Sequence, residues 1–308
     1  MKHVYDMLII GGGPAGYTAA LYAARAGLDT AVVERMSAGG QMALTDVIDN
    51  YPGFEEGVDG FSLGMKMQSS AERFGAKTLF GDVQSARLEG AVKEIVTDSE
   101  TLYAKTVVIA TGANPRALGI AGEESLVGRG LHYCAHCDGR FYKEKTVLVV
   151  GGGNSAAADA LYLSRLASRV IIVHRRDTLR ATKIYHAPLM EAENVTFSWN
   201  SRVKDWLRED GRLVGAVIEN LQTGACEEIR VDGAFVSIGR EPATAWLSNA
   251  LPLDAQGYIV ADESTRTAID GVYAVGDVRT KVLRQVVTAV GDGAVAAHYA
   301  EEYLATNQ

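Results

Sequence analysis

The order of apolar and polar residues along the chain shows one arrangement twice. An apolar run at Met7–Ile10 leads into the glycine turn Gly11–Gly16, an alanine-rich stretch and a second apolar run. The same succession begins again at Val147–Val150 and the turn Gly151–Ala156, at an offset of 151 − 11 = 140 residues without a gap. An apolar run, a tight turn, a helical stretch and another apolar run predict a βαβ unit. The sequence therefore predicts two such units.

Strand-like patterning follows each predicted unit. The first region spans residues 76–109 and the second spans residues 195–238. The second region contains two dipeptides typical of hairpin turns, Asp210-Gly211 and Thr223-Gly224. Each region ends in an apolar strand and a stop of small residues, so strands return to the sheet after each hairpin region.

The last part of the chain predicts a strand and a long helix. The run Val272–Val275 is followed by Gly276 and Asp277, which places an acidic residue on a loop after a strand. An alanine-rich stretch then predicts a helix from about Gln285 to Leu304. The complete pattern predicts an α/β protein with two Rossmann-like, three-layer nucleotide-binding domains.

Composition and charge restrict the function. A length of 308 residues is typical of two domains, at about 100–200 residues each. The 30 basic and 38 acidic side chains give a net charge of −8, so the sequence lacks the basic surface of a nucleic-acid-binding protein. Three cysteines are too few for a disulfide scaffold, and this predicts a cytoplasmic protein.

The N-terminal apolar segment has two possible interpretations. A signal peptide with Lys2 as its basic region is one of them. However, four glycines and Pro14 interrupt the apolar run, which favours a strand, a turn and a helix. No run elsewhere has the 18 or more apolar residues typical of a membrane span, so we expect no membrane association.

Both glycine turns fit the G-x-G-x-x-G pattern of dinucleotide-binding loops. In that pattern the first glycine makes the bend, the second lets the backbone approach a pyrophosphate, and the third lets helix and strand pack closely. The small residues at these positions are Gly11, Gly13 and Gly16 in the first unit and Gly151, Gly153 and Ala156 in the second.

The two units differ where a nucleotide's ribose is recognised. Eighteen residues after the third small residue (34 − 16), the first unit has Glu34, an acceptor suited to a free ribose 2′-hydroxyl. The second unit has His174-Arg175-Arg176 there (174 − 156), followed by Arg180. Cationic side chains suit a 2′-phosphate, which predicts FAD or NAD in the first unit and NADP in the second. The alternative for the arginines is a solvated charge run.

Two cysteines three residues apart are the candidate redox centre. Cys134 and Cys137 form a C-x-x-C pair just before the second unit, with Asp138 placed to move a proton at a sulfur. His132 and His136 can supply positive charge to a thiolate. A zinc site built from these two histidines and both cysteines, or two unreactive core cysteines, are the alternatives. Cys226 is expected to be a bystander.

These motifs together resemble the bacterial-type, low-molecular-weight thioredoxin reductases along essentially the whole chain. Besides the two glycine loops, the cysteine pair and the arginines, the motifs are Gly39-Gly40-Gln41, Asn50-Tyr51-Pro52-Gly53, Ala110-Thr111-Gly112, Gly276-Asp277 and Arg284-Gln285. The resemblance implies an NADPH-binding domain (116–245, carrying the cysteines) inserted into a split FAD-binding domain (1–115 and 246–308). It also implies a homodimer that passes electrons from NADPH through FAD and the Cys134–Cys137 disulfide to thioredoxin.

The resemblance implies the cofactor-binding residues as well. Those expected at FAD are Gly11, Gly13, Pro14, Ala15, Gly16, Glu34, Arg35, Gly40, Gln41, Asn50, Ala110, Thr111, Gly112, Gly276, Asp277, Arg284, Gln285 and Val286. Those expected at NADPH are Gly151, Gly153, Asn154, Ser155, Ala156, His174, Arg175, Arg176 and Arg180. No metal is expected.

Two departures from the family pattern and one mechanical consequence remain. The family usually has threonine where this chain has His136, and an acidic residue where it has Ala158. One flavin must meet both the nicotinamide and the disulfide, so we expect the inserted domain to rotate about hinges near 114–120 and 239–246.

Alternatives within the same chemistry are NADH or ferredoxin as donor, and a glutaredoxin-like or peroxiredoxin-like protein, a small disulfide or oxygen as acceptor. An alternative of another class is a redox-sensing or metal-binding protein that uses nucleotide only for structure.

Overall fold

A computed structural model describes residues 2–45, 47–248 and 250–307, and the chain falls into two units. The first unit combines the chain up to Asn114 with the chain from Glu241 onward, and the second is Pro115–Arg240. The predicted boundaries at 115 and 245 lie one residue (115 − 114) and five residues (245 − 240) later than these. Residues 241–245 belong to the first unit because, for example, the backbone N–H of Ala243 donates to the carbonyl of Gly112. Met1 and Gln308, the outer ends of the predicted domains, lie outside the described residues.

The chain from the N-terminus to the first crossing forms two helices and seven strands among the described residues. In chain order they are β1 (Val4–Ile10), α1 (Pro14–Arg25), β2 (Thr30–Glu34), α2 (Gly60–Glu72), β3 (Lys77–Phe80), β4 (Val83–Arg87), β5 (Lys93–Thr97), β6 (Thr101–Ile109) and β7 (Ala113–Pro115).

The inserted segment and the return to the first unit supply the other elements. They are β8 (Leu131–His132), α3 (Ala135–Asp138), β9 (Thr146–Val150), α4 (Asn154–Leu163), β10 (Arg169–Val173), α5 (His186–Glu191), β11 (Val195–Ser198), β12 (Ser201–Glu209), β13 (Arg212–Asn220), β14 (Cys226–Arg230), β15 (Gly233–Val236), β16 (Arg240–Pro242), β17 (Val272–Ala274) and α6 (Val286–Thr306). Short 3-10 helices lie at Gly40–Leu44, Glu123–Leu126, Gly139–Tyr142, Lys183–Tyr185, Ala245–Leu247 and Gly276–Val278.

The first unit is built on a seven-stranded sheet in the order β3-β2-β1-β6-β5-β4, with β17 also pairing with β6. Strands β3, β2, β1, β6 and β17 are parallel, and β4 and β5 are antiparallel additions at one side. Met7 and Ile9 of β1 pack into one apolar cluster with α1 and α6, whereas Leu8 and Ile10 pack into a second cluster. Alternate residues of one strand are thus buried on opposite faces, which gives the predicted three layers.

The second unit repeats this design around a five-stranded parallel sheet in the order β11-β10-β9-β15-β8. Val147 and Val149 of β9 pack on the α4 side, and Leu148 and Val150 pack against the cluster that includes Trp206. That second layer comes from the antiparallel three-stranded sheet β12-β13-β14. The prediction of an α/β protein with two Rossmann-like domains is therefore confirmed.

The two crossings between the units pair with each other. Strands β7 and β16 form a two-stranded sheet. Two backbone hydrogen bonds, each 3.0 Å long, flank this two-stranded sheet. At one end the N–H of Ala243 donates to the carbonyl of Gly112, and at the other end the N–H of Arg116 donates to the carbonyl of Gly239. The two segments therefore run side by side in opposite directions. None of the helices that the structure describes is long and apolar enough to cross a membrane.

Candidate active site

The first glycine loop connects β1 to α1, and two of its glycines are required by packing. Gly11 has a φ of +105°, and a Cβ on it would lie 2.5 Å from the carbonyl oxygen of Ala110. A Cβ on Gly16 would lie 1.9 Å from the carbonyl oxygen of Gly11. By contrast, a Cβ on Gly13 would meet no described atom within 4 Å. The loop is therefore tight where strand and helix meet and accessible at its middle glycine, directly before the N-terminus of a 12-residue helix.

The carboxylate of Glu34 lies beside this loop. Its Oε2 accepts a hydrogen bond from Gly12 N at 2.7 Å, and its Oε1 accepts one from Met36 N at 3.0 Å. Arg35, the next predicted residue, is exposed. The carboxylate thus stands at the end of β2 next to the glycine loop, where a Rossmann-like domain contacts a ribose.

The structure brings two other predicted residues of the first unit, Gly40 and Gly276, to the same loop. A Cβ on Gly40 would lie 3.5 Å from the Cα of Gly13, and a Cβ on Gly276 would lie 3.1 Å from the Cβ of Ala15. Predicted residues also bond to each other or to nearby groups: Asn50 Nδ2 to Gln285 Oε1 at 2.9 Å, Gln41 Nε2 to Asn114 Oδ1 at 2.9 Å, and Thr111 Oγ1 to Ala243 O at 2.9 Å. Gln285 is also the N-cap of α6, which begins at Val286.

A buried charge cluster supports the segment that carries Asp277, and the motifs did not predict it. Asp292 on α6 accepts hydrogen bonds from Arg279 and Lys281, and also from the backbone N–H of Gly276 at 2.8 Å. Arg284, which the resemblance placed at FAD, donates to the carbonyls of Asp277 and Arg279 at 3.2 and 3.1 Å. In the sequence, Asp292 lies in an alanine-rich stretch shortly after Arg279 and Lys281, but this order alone does not indicate burial.

The second glycine loop, between β9 and α4, has the same construction. Gly151 has a φ of +143°, and a Cβ on it would lie 2.5 Å from the carbonyl oxygen of Ser237. A Cβ on Gly153 would meet one described atom within 4 Å, the Nη2 of Arg180 at 4.0 Å. Asn154 and Ser155 are exposed at the start of α4, and Ala156 is buried. The loop is again accessible at its middle glycine.

The basic residues after β10 do not all play the same part. Arg175, Arg176 and Arg180 are exposed, and the backbone N–H of Arg180 donates to Gly152 O at 2.7 Å. His174 is buried instead, and a Cβ on Gly152 would lie 2.3 Å from its ring. Burial, assisted by the charge of Arg180, lowers the pKa of His174, so its ring is neutral at pH 7. The buried imidazole packs against the loop at Gly152, whereas the three guanidinium groups are exposed and can bind an anion.

Cys134 and Cys137 are joined by a disulfide at the start of the short helix α3, for which Cys134 is the N-cap residue. The Nδ1 of His132 lies 3.1 Å from Asp138 Oδ2, and its Nε2 lies 2.6 Å from the hydroxyl of Tyr142. Among the described residues, no group of three or more His, Cys, Asp or Glu side chains is arranged to hold a metal ion. The pair can therefore exchange electrons as a disulfide, with a carboxylate one residue away.

The side chain of His136, between the two cysteines, packs against helix α4 of the same unit. Its ring stacks on Tyr162 of α4 at 4.4 Å, and its Nδ1 lies 3.8 Å from Asp159 Oδ1. The other oxygen of Asp159 accepts a hydrogen bond from Ser237 Oγ at 2.5 Å. The histidine that replaces the family's threonine is thus packed on the helix that follows the second glycine loop. Cys226 is free and exposed on β14, with Lys204 Nζ 3.4 Å from its sulfur.

Comparisons with known proteins agree with this construction. The family model described as "Pyridine nucleotide-disulphide oxidoreductase" matches residues 5–293. The "Thioredoxin reductase" of Listeria monocytogenes is 46% identical over 98% of this chain and 95% of its own length. That of Bacillus subtilis is 44% identical over 99% of this chain and 98% of its own length. The crystal structure of thioredoxin reductase from Streptococcus pyogenes superposes with a TM-score of 0.92 at 44% identity, covering 99% of this chain and all of that one.

Proposed function

Because the chain belongs to the pyridine nucleotide-disulphide oxidoreductase family and, within it, to the bacterial-type thioredoxin reductases, we propose that it carries electrons from NADPH through FAD to the Cys134–Cys137 disulfide and then to a thioredoxin-like protein. The observation that carries this proposal is the disulfide itself. It lies in the same unit as the second glycine loop and closes the four residues Cys134–Cys137 into one ring beside the carboxylate of Asp138.

The residues present fit FAD in the first unit. The tight glycines Gly11 and Gly16 bring the loop close to the start of α1, Gly13 leaves room for a pyrophosphate, and Glu34 offers carboxylate oxygens to a ribose. Bound FAD supplies the chemistry that this chain lacks, since it accepts a hydride from NADPH and reduces a disulfide by two electrons.

The second unit fits NADPH rather than NADH. Arg175, Arg176 and Arg180 are exposed around a loop whose middle glycine is accessible. Guanidinium groups bind phosphate through paired, charge-assisted hydrogen bonds, whereas a ribose 2′-hydroxyl would leave three positive charges without a partner. This contrast supports selection of the phosphorylated dinucleotide.

The cysteines and Asp138 divide the disulfide chemistry between them. We assign Cys137, next to Asp138, as the sulfur that faces the flavin, and Cys134 as the sulfur that attacks the substrate. After two-electron reduction both sulfurs are thiols, and Asp138 moves the proton that one of them gains or loses. The Cys134 thiolate attacks the substrate disulfide and releases one substrate thiol. The Cys137 thiolate then attacks Cys134 in the mixed disulfide, which releases the second substrate thiol and restores the Cys134–Cys137 bond.

The inserted unit needs two arrangements to use a single flavin. The unit boundaries, after Asn114 and after Arg240, lie in the two segments proposed as hinges. A cross-link that traps the cysteines against the flavin should abolish flavin reduction by NADPH. Turnover that survives the cross-link would contradict the rotation.

The test of the function is NADPH oxidation by the FAD-loaded protein with and without a bacterial thioredoxin. We expect oxidation that depends on thioredoxin in the wild type and in Cys226→Ser, and none in Cys137→Ser. Protein without a flavin absorbance spectrum, or Cys137→Ser with undiminished thioredoxin reduction, would contradict the proposal. Stopped-flow reduction of the flavin by NADPH, NADH and reduced ferredoxin identifies the donor.

We also propose that the protein works as a homodimer in the cytoplasm. Its similarity to bacterial thioredoxin reductases over nearly the whole chain supports this assembly and compartment. Sedimentation equilibrium of the FAD-loaded protein tests the assembly, since a single species at the mass of one chain would contradict it.

A further inference from the structure

Behind the carboxylate of Asp138 lies a histidine that the proposed reaction has not used. His132 is the last residue of β8, and its partner in the parallel sheet is Phe235 of β15. Its side chain is 9% exposed and that of Asp138 is 21% exposed, so the imidazole forms the inner side of the contact. The 3.1 Å separation between His132 Nδ1 and Asp138 Oδ2 is a hydrogen-bond distance.

The other ring nitrogen of His132 meets a buried phenol. Tyr142 Oη lies 2.6 Å from His132 Nε2. Burial, together with the nearby charge of Asp138, raises the pKa of Tyr142 to about 12, so its hydroxyl is protonated at neutral pH. Arg212 on β13 and Asp232 before β15 act on the pKa of Tyr142 in opposite directions, and Lys145 Nζ lies over its ring at 5.6 Å from the centroid.

The direction of both hydrogen bonds follows from these groups. An ionised carboxylate only accepts hydrogen bonds, so Nδ1 of His132 must carry a hydrogen and donate it to Asp138. A ring with its one hydrogen on Nδ1 has a lone pair on Nε2, which accepts from the hydroxyl of Tyr142. Tyr142 thus bonds the ring tautomer that can hold Asp138, as a buried partner orients a catalytic imidazole in hydrolase triads.

Packing fixes the ring in this position. The imidazole stacks on Phe235 with centroids 5.3 Å apart and planes at 27°, and the Tyr142 ring meets it edge-on at 5.3 Å. Gly233 makes room for the phenol, since a Cβ there would lie 2.2 Å from the Tyr142 ring. These two contacts hold the ring in its observed orientation.

We propose that His132, oriented by Tyr142, is a positioning residue that holds Asp138 for proton transfer at the Cys134–Cys137 pair. This inference rests on the proposed function of Asp138 and assigns two further residues to the same site. The contact of Nδ1 with Oδ2 restricts rotation of the Asp138 carboxyl, which follows Cys137 directly in the chain.

The tautomer can be measured without catalysis. Nitrogen-15 chemical shifts of the imidazole in the oxidised, FAD-loaded protein should show the hydrogen of His132 on Nδ1. Tyr142→Phe keeps the packing and removes the hydroxyl, so the Nε2 shift should change as its hydrogen bond is lost while the hydrogen stays on Nδ1. A wild-type ring with its hydrogen on Nε2 alone would overturn the proposal.

The kinetic test uses variants that separate the two ring nitrogens. In His132→Asn the amide can still donate from the Nδ1 position, and in His132→Leu nothing can. We expect thioredoxin reduction by His132→Leu to fall about tenfold and its pH profile to differ from that of the wild type. His132→Asn should recover most of the rate, and Tyr142→Phe should show a smaller change of the same kind.

A control reaction distinguishes this inference from the function on which it rests. Reduction of ferricyanide by NADPH through the flavin bypasses the disulfide and should be unchanged in His132→Asn, His132→Leu and Tyr142→Phe. If the wild type reduces thioredoxin and His132→Leu and Tyr142→Phe keep the wild-type pH profile, the positioning role is wrong and the function stands. If the wild type reduces no thioredoxin, the proposed function fails first.

Discussion

The carboxylate of Asp292 accepts two hydrogen bonds from the guanidinium of Arg279, at 2.8 and 2.9 Å, in the interior of the first unit. Arg279 is 1% exposed and Asp292 is 7% exposed. Lys281 Nζ and the backbone N–H of Gly276 reach the same carboxylate, both at 2.8 Å. One side chain of α6 therefore holds both ends of the turn that presents Asp277.

Replacing Asp292 with asparagine should destabilise the protein by about 3–5 kcal/mol at pH 7, because two buried cations lose their counter-ion. Burial alone would raise the pKa of Asp292, but hydrogen bonds from Arg279 and Lys281 outweigh it and hold the pKa below its ordinary 3.8. The folded-state pKa is thus the lower one, so this stabilisation is present above the unfolded value and is lost as the pH falls through the folded value. Urea unfolding at pH 7, 5 and 3 should show that the difference in the free energy of unfolding between the wild type and Asp292→Asn is smaller at pH 3. Glu302→Gln, at an exposed pair on the same helix, is the control and should change little.

Gly152→Ala should destabilise the second unit through one steric contact. The new Cβ would lie 2.3 Å from the ring of His174, so we expect a loss of about 1–3 kcal/mol in the free energy of unfolding. Gly153→Ala is the matched control, since its Cβ would approach no described atom closer than 4.0 Å. Adding His174→Ala to Gly152→Ala should cost less than the sum of the two single changes. Strict additivity would show that the contact is not the cause.

Glu34→Gln should weaken FAD binding about tenfold, because a charged acceptor contributes more than a neutral one. The variant also weakens the bond to Gly12 N that holds the loop. Titration of apoprotein with FAD, followed by flavin fluorescence, measures the dissociation constant. Glu89→Gln, an exposed carboxylate after β4, serves as the control. Equal affinities of wild type and Glu34→Gln would contradict a ribose contact.

Arg175→Gln and Arg180→Gln should each raise the KM for NADPH about tenfold or more and leave the KM for NADH nearly unchanged, because only NADPH carries the 2′-phosphate. Arg169 begins β10 and Arg175 follows its end, so Arg169→Gln removes the same charge from the opposite end of one strand. Steady-state kinetics with both dinucleotides should therefore show a raised KM for NADPH in Arg175→Gln but not in Arg169→Gln. A similar rise of this KM in all three variants would indicate a general effect of charge rather than a contact with the 2′-phosphate.

Features that depend on neighbours in the sequence could be predicted. Gly16 must be small because its Cβ would meet the carbonyl of Gly11, five residues earlier. The Asp210-Gly211 turn has φ values of +49° and +72°, the left-handed values that such a hairpin turn requires. Local chemistry of this kind repeats from protein to protein, so the two βαβ units and their loops can be predicted from the sequence.

Features that depend on distant packing could not be predicted from pattern. The resemblance implied that both Asn50 and Gln285 approach a flavin, but their mutual hydrogen bond spans 235 residues of sequence. His174 belongs to a basic cluster in the sequence, yet its ring is buried beneath Gly152. Tyr142 is one of 13 tyrosines, and only the fold shows that its hydroxyl meets His132. Burial and partner choice are properties of the packed chain, which explains why the motifs did not disclose them.

The pairing of β7 with β16 means that the two chain crossings to the second unit are neighbouring strands of one sheet. The chain leaves the first unit after Asn114 and re-enters it at Glu241, and neighbouring strands in a sheet are about 5 Å apart. A short glycine-containing turn could therefore replace residues 115–240 and seal the gap without displacing the parallel sheet on either side. In genetic terms the second unit is arranged like an inserted cassette, whose two splice points lie on neighbouring strands.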